Sequence, residues 1–157
     1  MKKLILVFII CLGWNINAQQ SEKEDVKATI IKFFDAFHKQ DTTALKAMAK
    51  GDIKLQTISV NKTGQTVLRE NDYSNFVKGI ASIPQENSFE EKLLDFSIQV
   101  DGPMANAWTP YEFWYNGNFS HCGVNSFQLL KENGDWKIVY LVDTRRRKGC
   151  KIENPKN

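Results

Sequence analysis

The sequence has few of the residues that hold metal ions. Its 157 residues include three cysteines and only two histidines, His38 and His121. No two of these residues have the CxxC or HxxxH spacing of a metal site. We therefore predict no metal and no bound cofactor, and any chemistry falls to carboxylates, imidazole, arginines and aromatic side chains.

The chain also lacks a large excess of one charge. It carries 21 Lys and Arg against 18 Asp and Glu, a net charge of +3. This balance gives no support for a nucleic-acid partner. The basic residues cluster near the C-terminus, at Arg145–Lys148, Lys151 and Lys156. We interpret this cluster as a solvated end of the chain, with an anion site as the alternative.

A long hydrophobic run is absent as well. The apolar segment Leu4–Gly13 is too short to cross a bilayer. Two lysines precede it and the small residue Ala18 closes it, which is typical of a signal peptide. We predict that residues 1–18 are cleaved and that residues 19–157 form a single domain with an ordered core of about 22–150. The mature protein is then expected to be periplasmic or extracellular, without membrane association.

Cleavage leaves two cysteines, Cys122 and Cys150, in a compartment where disulfides persist. A bridge between them requires the chain to turn back at Gly149, because bridged Cα atoms lie within about 7 Å of each other. A disulfide and two free thiols both remain open at this point.

Three helices are predicted before the main sheet. The first runs from about Glu22 to Gln40, since apolar residues recur there at helical spacing after the capping-box pattern that begins at Ser21. A short second helix follows Asp41 and stops at Gly51. A small hairpin comes next, and the third helix starts near Asp72 and ends before Pro84.

Strands follow without interruption by helices. Residues 93–100 alternate between apolar and polar, and residues 105–115 carry aromatic residues on both faces. The final hairpin, Phe119–Arg147, turns at Asn133-Gly134, a strong two-residue turn signal. Helices and strands segregated in this way indicate an α+β fold, with helices laid across one face of a strongly curved, mainly antiparallel sheet.

The turn fixes a register for the final hairpin. If Glu132 pairs with Asp135, Phe127 faces Tyr140 and Val124 faces Asp143, while Cys122 faces Arg145. Alternation then places His121, Asn125 and Tyr140 on one face, with Cys122, Asp143 and Arg145 on the other. His121 and Cys122 point in opposite directions, unless Gly123 marks a bulge.

Two sequence blocks carry a resemblance to a known family. The order of elements, WTPYEFWYNGNFSHCGVNSF at 108–127 and GDWKIVYLVDTRR at 134–146 resemble the nuclear transport factor 2-like superfamily, over about 25–150. More narrowly, they resemble its SnoaL-like, lumazine-binding group of exported bacterial proteins. The resemblance implies a cone with a pocket between the curved sheet and the first helix, and a homodimer through the outer sheet face. In the scytalone dehydratase pattern, an aspartate on the first helix pairs with a histidine on a strand, which here implies Asp35 and His121.

Three residues, His121, Asp35 and Glu112, are candidate catalytic groups. His121 is a general acid or base if a carboxylate such as Asp35 orients it, or a structural histidine bound to a backbone carbonyl. Glu112 lies in the most apolar strand, where burial would raise its pKa, unless it sits at a wet rim or pairs with an arginine. Asp143 and Arg145 are expected to form an ion pair, with anion binding by Arg145 as the alternative.

Convergent aromatic side chains with few polar groups suggest a binding pocket. The predicted ligand-binding residues are Trp108, Tyr111, Phe113, His121, Asn125, Tyr140, Asp143 and Arg145. The first functional hypothesis is an exported domain that binds a small, partly aromatic or apolar molecule. The second is a cofactor-free lyase, isomerase or dehydratase that uses a His-carboxylate pair in the same pocket. The third is a homodimeric interaction module with a filled cone.

Overall fold

The computed structural model describes the backbone of residues 2–150 and the side chains of residues 19–150. Its helices are α1 (Lys2–His38), α2 (Thr42–Met48) and α3 (Tyr73–Ala81). The predicted signal peptide, residues 1–18, lies outside the described side chains, so its cleavage stays a prediction. Within the part of the chain that is described, no helix is both long and apolar enough to cross a membrane.

The seven strands form one sheet. They are β1 (Lys54–Val60), β2 (Thr66–Asp72), β3 (Phe89–Leu93), β4 (Ser97–Asp101), β5 (Met104–Tyr115), β6 (Asn118–Glu132) and β7 (Asp135–Arg146). Their order across the sheet is β2-β1-β7-β6-β5-β3, and β4 also pairs with β5. All pairs are antiparallel except β1 with β7. The predicted α+β class is therefore confirmed, and the small hairpin extends the main sheet through its parallel pair with β7.

The edge strand is divided where the sequence predicted one continuous strand over 93–100. β3 pairs with the second half of β5 and β4 with the first half, with the break opposite Pro110. The Pro110 carbonyl accepts a hydrogen bond from the Leu94 amide at 2.9 Å. Pro110 has no amide hydrogen and cannot donate a hydrogen bond to the edge strand, so the strand pairing is interrupted there.

The register of the final hairpin differs from the predicted one over most of its length. The turn forms as expected, with positive φ at Asn133 and Gly134 and with Glu132 opposite Asp135. A bulge then places Gln128 opposite Tyr140, although Leu129 still faces Ile138. The extra residue, Val139, shifts every later pair by one and turns the side chains beyond it to the other face.

The predicted pairs Phe127 with Tyr140, Val124 with Asp143 and Cys122 with Arg145 are therefore wrong. The observed pairs are as follows. Phe127 faces Leu141, Val124 faces Thr144 and Cys122 faces Arg146. Asp143 faces Asn125, on the concave side of the sheet, and Tyr140 moves to the convex side. Periodicity alone misses this change because a single bulged residue reverses the alternation after it.

The core lies between α1 and the concave face of the sheet. One face of α1 is buried along its described length, including Val26, Ile30 and Phe34. Phe127 at the centre of β6 is fully buried, and its ring meets the edges of Phe33 and Phe34, with centroids 5.9 and 6.1 Å away. Edge-to-face aromatic packing of this kind holds the helix in the curve of the sheet.

A disulfide closes the C-terminal end of the described chain. Cys122 on β6 is bonded to Cys150, with the Cα atoms 5.8 Å apart, and Gly149 has a φ of 67°. The chain thus turns back at Gly149 after β7, which is the geometry that a bridge requires.

Gly123 allows Tyr111 to reach across β6. Tyr111 on β5 and Arg145 on β7 are its partners on either side. A Cβ atom at Gly123 would lie 1.7 Å from the Thr144 carbonyl oxygen and 2.7 Å from Cε1 of Tyr111. Only glycine lets the tyrosine ring and the backbone approach so closely.

The substitution Gly123→Ala should therefore lower the free energy of unfolding by about 2 kcal/mol or more, because the backbone of Thr144 and the ring of Tyr111 must both move. Gly79→Ala in α3 is the matched control, since a Cβ atom there meets nothing within 4 Å. It should raise stability by roughly 0.5–1 kcal/mol through helix propensity. Urea unfolding of both variants measures the difference, and equal stabilities would contradict this account of Gly123.

Candidate ligand-binding site

A cavity of about 290 Å³ lies between the helices and the concave face of the sheet. Its apolar wall comes mainly from helix residues, with contributions from three strands. That wall is formed by Phe33, Phe34, Phe37, Leu55, Phe76, Ile80, Phe113 and Leu141. Its polar wall comes entirely from strands of the sheet. The polar side chains of that wall are Thr57, Glu91, His121, Asn125, Asp143 and Arg145.

Asp143 is the centre of the polar wall. Its Oδ1 accepts a hydrogen bond from the Thr57 hydroxyl at 2.5 Å, and its Oδ2 accepts one from the Tyr111 hydroxyl at 2.9 Å. Arg145 donates from Nε to the same Oδ2 at 2.8 Å. Asp143 is only 7% exposed. One carboxylate therefore joins β1, β5 and β7, and the predicted Asp143–Arg145 ion pair is present at the cavity wall.

Glu91 is a site residue that the sequence analysis did not identify. It lies on β3, and its Oε1 accepts a hydrogen bond from Nδ2 of Asn125 at 2.7 Å. Burial raises its pKa to about 8; the Asn125 hydrogen bond opposes this rise, and the nearby Asp143 adds to it. The side chain faces the cavity, where the surrounding protein restricts its hydration although part of its surface is accessible. Glu91 is therefore largely protonated at neutral pH.

A signal for Glu91 was present in the sequence. Phe89 and Leu93 are two residues away on either side, so alternation puts Glu91 on the same, apolar face of its strand. The strand is also attached to α1, because Nε2 of His38 accepts the Glu91 amide hydrogen at 2.8 Å. His38 thus has a structural role, since it connects the end of α1 to β3.

His121 lies in the same row of the sheet as Glu91, on the other side of Phe113. Both residues flank Phe113 in the strand pairing. The imidazole stacks on Phe113, with centroids 5.0 Å apart, and meets the edge of Tyr111 at 5.8 Å. Burial lowers the pKa of His121 to about 4; the charge of Arg145 adds to this shift, and Asp143 opposes it. The imidazole is therefore neutral at neutral pH.

Two of the predicted catalytic residues lie away from this cavity. Asp35 is exposed, because it falls between the buried Phe34 and Ala36 on the solvent side of α1, and it does not line the cavity. The predicted contact between Asp35 and His121 is accordingly absent from the described hydrogen bonds and ion pairs. Glu112 is 2% exposed but points to the convex side, where it pairs with Cys122 across the strands. Its Oε2 accepts a hydrogen bond from Trp114 at 3.2 Å.

The predicted ligand-binding residues divide in the same way. Phe113, His121, Asn125, Asp143 and Arg145 line the cavity. Tyr111 lies behind the lining and acts through its hydrogen bond to Asp143.

Trp108 and Tyr140 do not line the cavity. Trp108 is on the convex face and 53% exposed. The bulge at Val139 places Tyr140 on that convex face as well, where its hydroxyl donates a hydrogen bond to Gln56.

Comparisons with known proteins give structural neighbours but no sequence relatives. No protein-family model matches the sequence, and no curated protein matches it. A protein of unknown function from Mycobacterium tuberculosis matches with a TM-score of 0.66 and 15% identity, over 84% of this chain and 76% of that chain. A protein from Novosphingobium aromaticivorans, named provisionally as a scytalone dehydratase, matches with a TM-score of 0.64 and 13% identity, over 84% and 89%.

A further neighbour carries the name of the fold. It is a nuclear transport factor 2-like protein of unknown function from Shewanella baltica, with a TM-score of 0.55 and 14% identity, over 81% of this chain and 95% of that chain. Identities this low carry the fold and not the activity. The narrower resemblance to the lumazine-binding group stays a prediction. The chain has the nuclear transport factor 2-like fold.

Proposed function

We propose that the cavity binds a small, partly aromatic or apolar molecule. The observation that supports this most strongly is the division of the cavity into an aromatic wall on the helices and a polar wall on the sheet. Binding sites for small molecules are mostly apolar, with a few fixed polar groups that set orientation. The volume of about 290 Å³ is suited to a molecule of one or two rings.

The polar groups are held in place before any ligand arrives. Asp143 is fixed by three hydrogen bonds, and Glu91 is fixed by Asn125. A protonated Glu91 is a hydrogen-bond donor. Nδ1 of His121 is hydrogen-bonded to the Ser120 hydroxyl at 3.1 Å, so Nε2 is the ring nitrogen left for a ligand, as donor or acceptor according to the tautomer. Glu91 and His121 are two strands apart, so their backbones are about 10 Å from each other. A flat molecule lying on Phe113 would reach both groups.

Proton-transfer catalysis is the second candidate, because Glu91 and His121 supply a neutral acid and a neutral base on one cavity wall. Two of the structural neighbours are named provisionally as dehydratases. A histidine whose pKa is about 4 is nevertheless a weak base, and effective catalytic groups titrate near the working pH. Binding therefore fits these groups better than catalysis does. Turnover of a bound molecule that is lost in both Glu91→Gln and His121→Ala would favour the catalytic reading.

Export and self-association also remain proposals. The Cys122–Cys150 bond fits an oxidising compartment, and a mature N-terminus at Gln19 in protein recovered from the cell exterior or periplasm would support export. On the convex face, Trp108 and Met104 are 53% and 57% exposed. These side chains suit the predicted homodimer surface.

A titration with 1-naphthol tests the binding proposal. We expect the wild-type protein to bind this neutral two-ring probe. Leu141→Phe should bind it at least about tenfold more weakly, because the added ring atoms occupy the cavity. Leu94→Phe is the matched control, since Leu94 is 44% exposed at the sheet edge and should leave binding unchanged. Naphthol fluorescence measures affinity, and equal affinity of the wild type and Leu141→Phe would contradict the proposal.

The protonation of Glu91 predicts a pH-dependent stability. The pKa of Glu91 is about 8 in the folded chain, against an ordinary value of 4.5. The folded state thus holds a proton that the unfolded state releases, and this contribution is complete below pH 4.5 and lost as the pH rises through 8. Glu91→Gln keeps an oxygen for the Asn125 hydrogen bond and does not ionise. Its melting temperature should therefore rise relative to that of the wild type between pH 4.5 and 8, and the difference should level off above pH 8.

Glu90→Gln is the control for this experiment, because Glu90 is exposed on the same strand. It should show no comparable trend over that pH range. If the melting temperatures of Glu91→Gln and the wild type differ by the same amount at every pH from 4.5 to 8.5, Glu91 is ionised in the folded protein and the prediction is wrong.

A further inference from the structure

A second depression adjoins the mouth of the cavity and is strongly basic. Five of its lining residues are cationic: Lys62, Arg69, Arg145, Arg146 and Arg147. Its remaining lining residues are Ser59, Val60, Asn61, Ser120 and His121, so no carboxylate lines it. We call this surface the basic mouth. His121 and Arg145 line both the basic mouth and the cavity, so the two spaces meet at these side chains.

Arg145 is oriented toward the junction of the two spaces. Its Nε is occupied by the hydrogen bond to Asp143, and its side chain is 54% exposed. An arginine held through Nε keeps its two terminal nitrogens for another acceptor. A fixed guanidinium of this kind suits an oxyanion, whose two oxygens match its geometry.

The other cations of the basic mouth are not neutralised by the described residues. Each of the five ion pairs of residues 19–150 lies elsewhere or is that of Arg145 with Asp143. The positive charge of the basic mouth also acts on a residue of the cavity wall, since both Arg145 and Arg147 lower the pKa of His121. Clustered like charges repel each other, and an anion that neutralises them is attracted.

We propose that the ligand of the cavity is an amphipathic anion, with an aromatic or apolar body in the cavity and an oxyanion head, such as a phosphate or carboxylate, in the basic mouth. This inference rests on the proposed binding function and adds the charge and polarity of the ligand. Arg145 contacts the head beside the apolar wall, and Arg69 and Arg147 surround it from β2 and the end of β7. The neutral Glu91 and His121 contact the body without repelling the anion.

The test compares 1-naphthyl phosphate and 1-naphthoate with the neutral 1-naphthol, by fluorescence titration at pH 7.5. The wild type should bind at least one of the two anions about tenfold more tightly than naphthol, as expected for charge-assisted hydrogen bonds. The double substitution Arg69→Gln with Arg147→Gln should lower that preference to about threefold or less, because only Arg145 of the three arginines then contacts the head, and it should leave naphthol binding unchanged. Both arginines are exposed, so the fold should persist. The anion with the larger preference identifies the head group.

A charge-matched control removes two cations elsewhere. Lys39→Gln with Lys46→Gln alters exposed residues near α2, and the preference for the anion should be retained. An equal loss in this control would mean that overall charge attracts the anion, which would overturn the proposal. The proposal would also be overturned if inorganic phosphate bound as tightly as naphthyl phosphate and Leu141→Phe left the affinity for naphthyl phosphate unchanged. So would a single-stranded oligonucleotide that binds the basic mouth more tightly than either naphthyl anion.

The two proposals fail in different ways. If naphthol binds and Leu141→Phe weakens it, but neither anion gains affinity, the amphipathic anion is wrong and the cavity remains a binding site for a neutral molecule. If Leu141→Phe weakens the binding of none of the three naphthyl compounds, or if none of them binds, both proposals are wrong.

Discussion

The hydrogen bonds of Asp143 are the interaction on which the site depends. Through Thr57 they hold the parallel pair of β1 and β7, and through Tyr111 they cross β6 to reach β5. Tyr111 reaches the carboxylate only because Gly123 has no side chain. A nearly buried carboxylate is stable when hydrogen-bond donors replace the water it has lost, and three donors do so here. The polar wall of the cavity, including the direction of Arg145, follows from this arrangement.

The cavity has a gradient from apolar to cationic. Phenylalanine rings cover its helix side, neutral polar groups lie along the sheet, and arginines gather at the mouth. Burial keeps Glu91 protonated and His121 unprotonated, so the interior holds little charge beyond the Asp143–Arg145 pair. An interior with neutral donors and acceptors favours recognition by shape and hydrogen bonding, whereas the mouth attracts by charge.

Much of the fold could be predicted from local sequence patterns, and much of the site could not. Helical spacing of apolar residues located α1 from about residue 22 to its end at His38, two residues before the predicted end, but not the residues before 22. The Asn133-Gly134 turn located the last hairpin. The site depends on two long-range features. The bulge at Val139 moved Asp143 into the cavity wall and Tyr140 out of it. The pairing of β3 with β5 brought Glu91 next to Asn125, while the rotation of α1 left Asp35 in solvent.

The interpretation of the polar wall and the basic mouth depends on whether the cavity between α1 and the sheet binds a small molecule. Native mass spectrometry of the mature, unreduced protein, compared with its denatured mass, tests it most directly. We expect the native protein to carry the extra mass of a small molecule, either retained from the cell or added as naphthyl phosphate. This extra mass should be lost on denaturation and should be smaller or absent in Leu141→Phe. A protein with identical native and denatured masses, which acquires no naphthyl compound at saturating concentration, would contradict it.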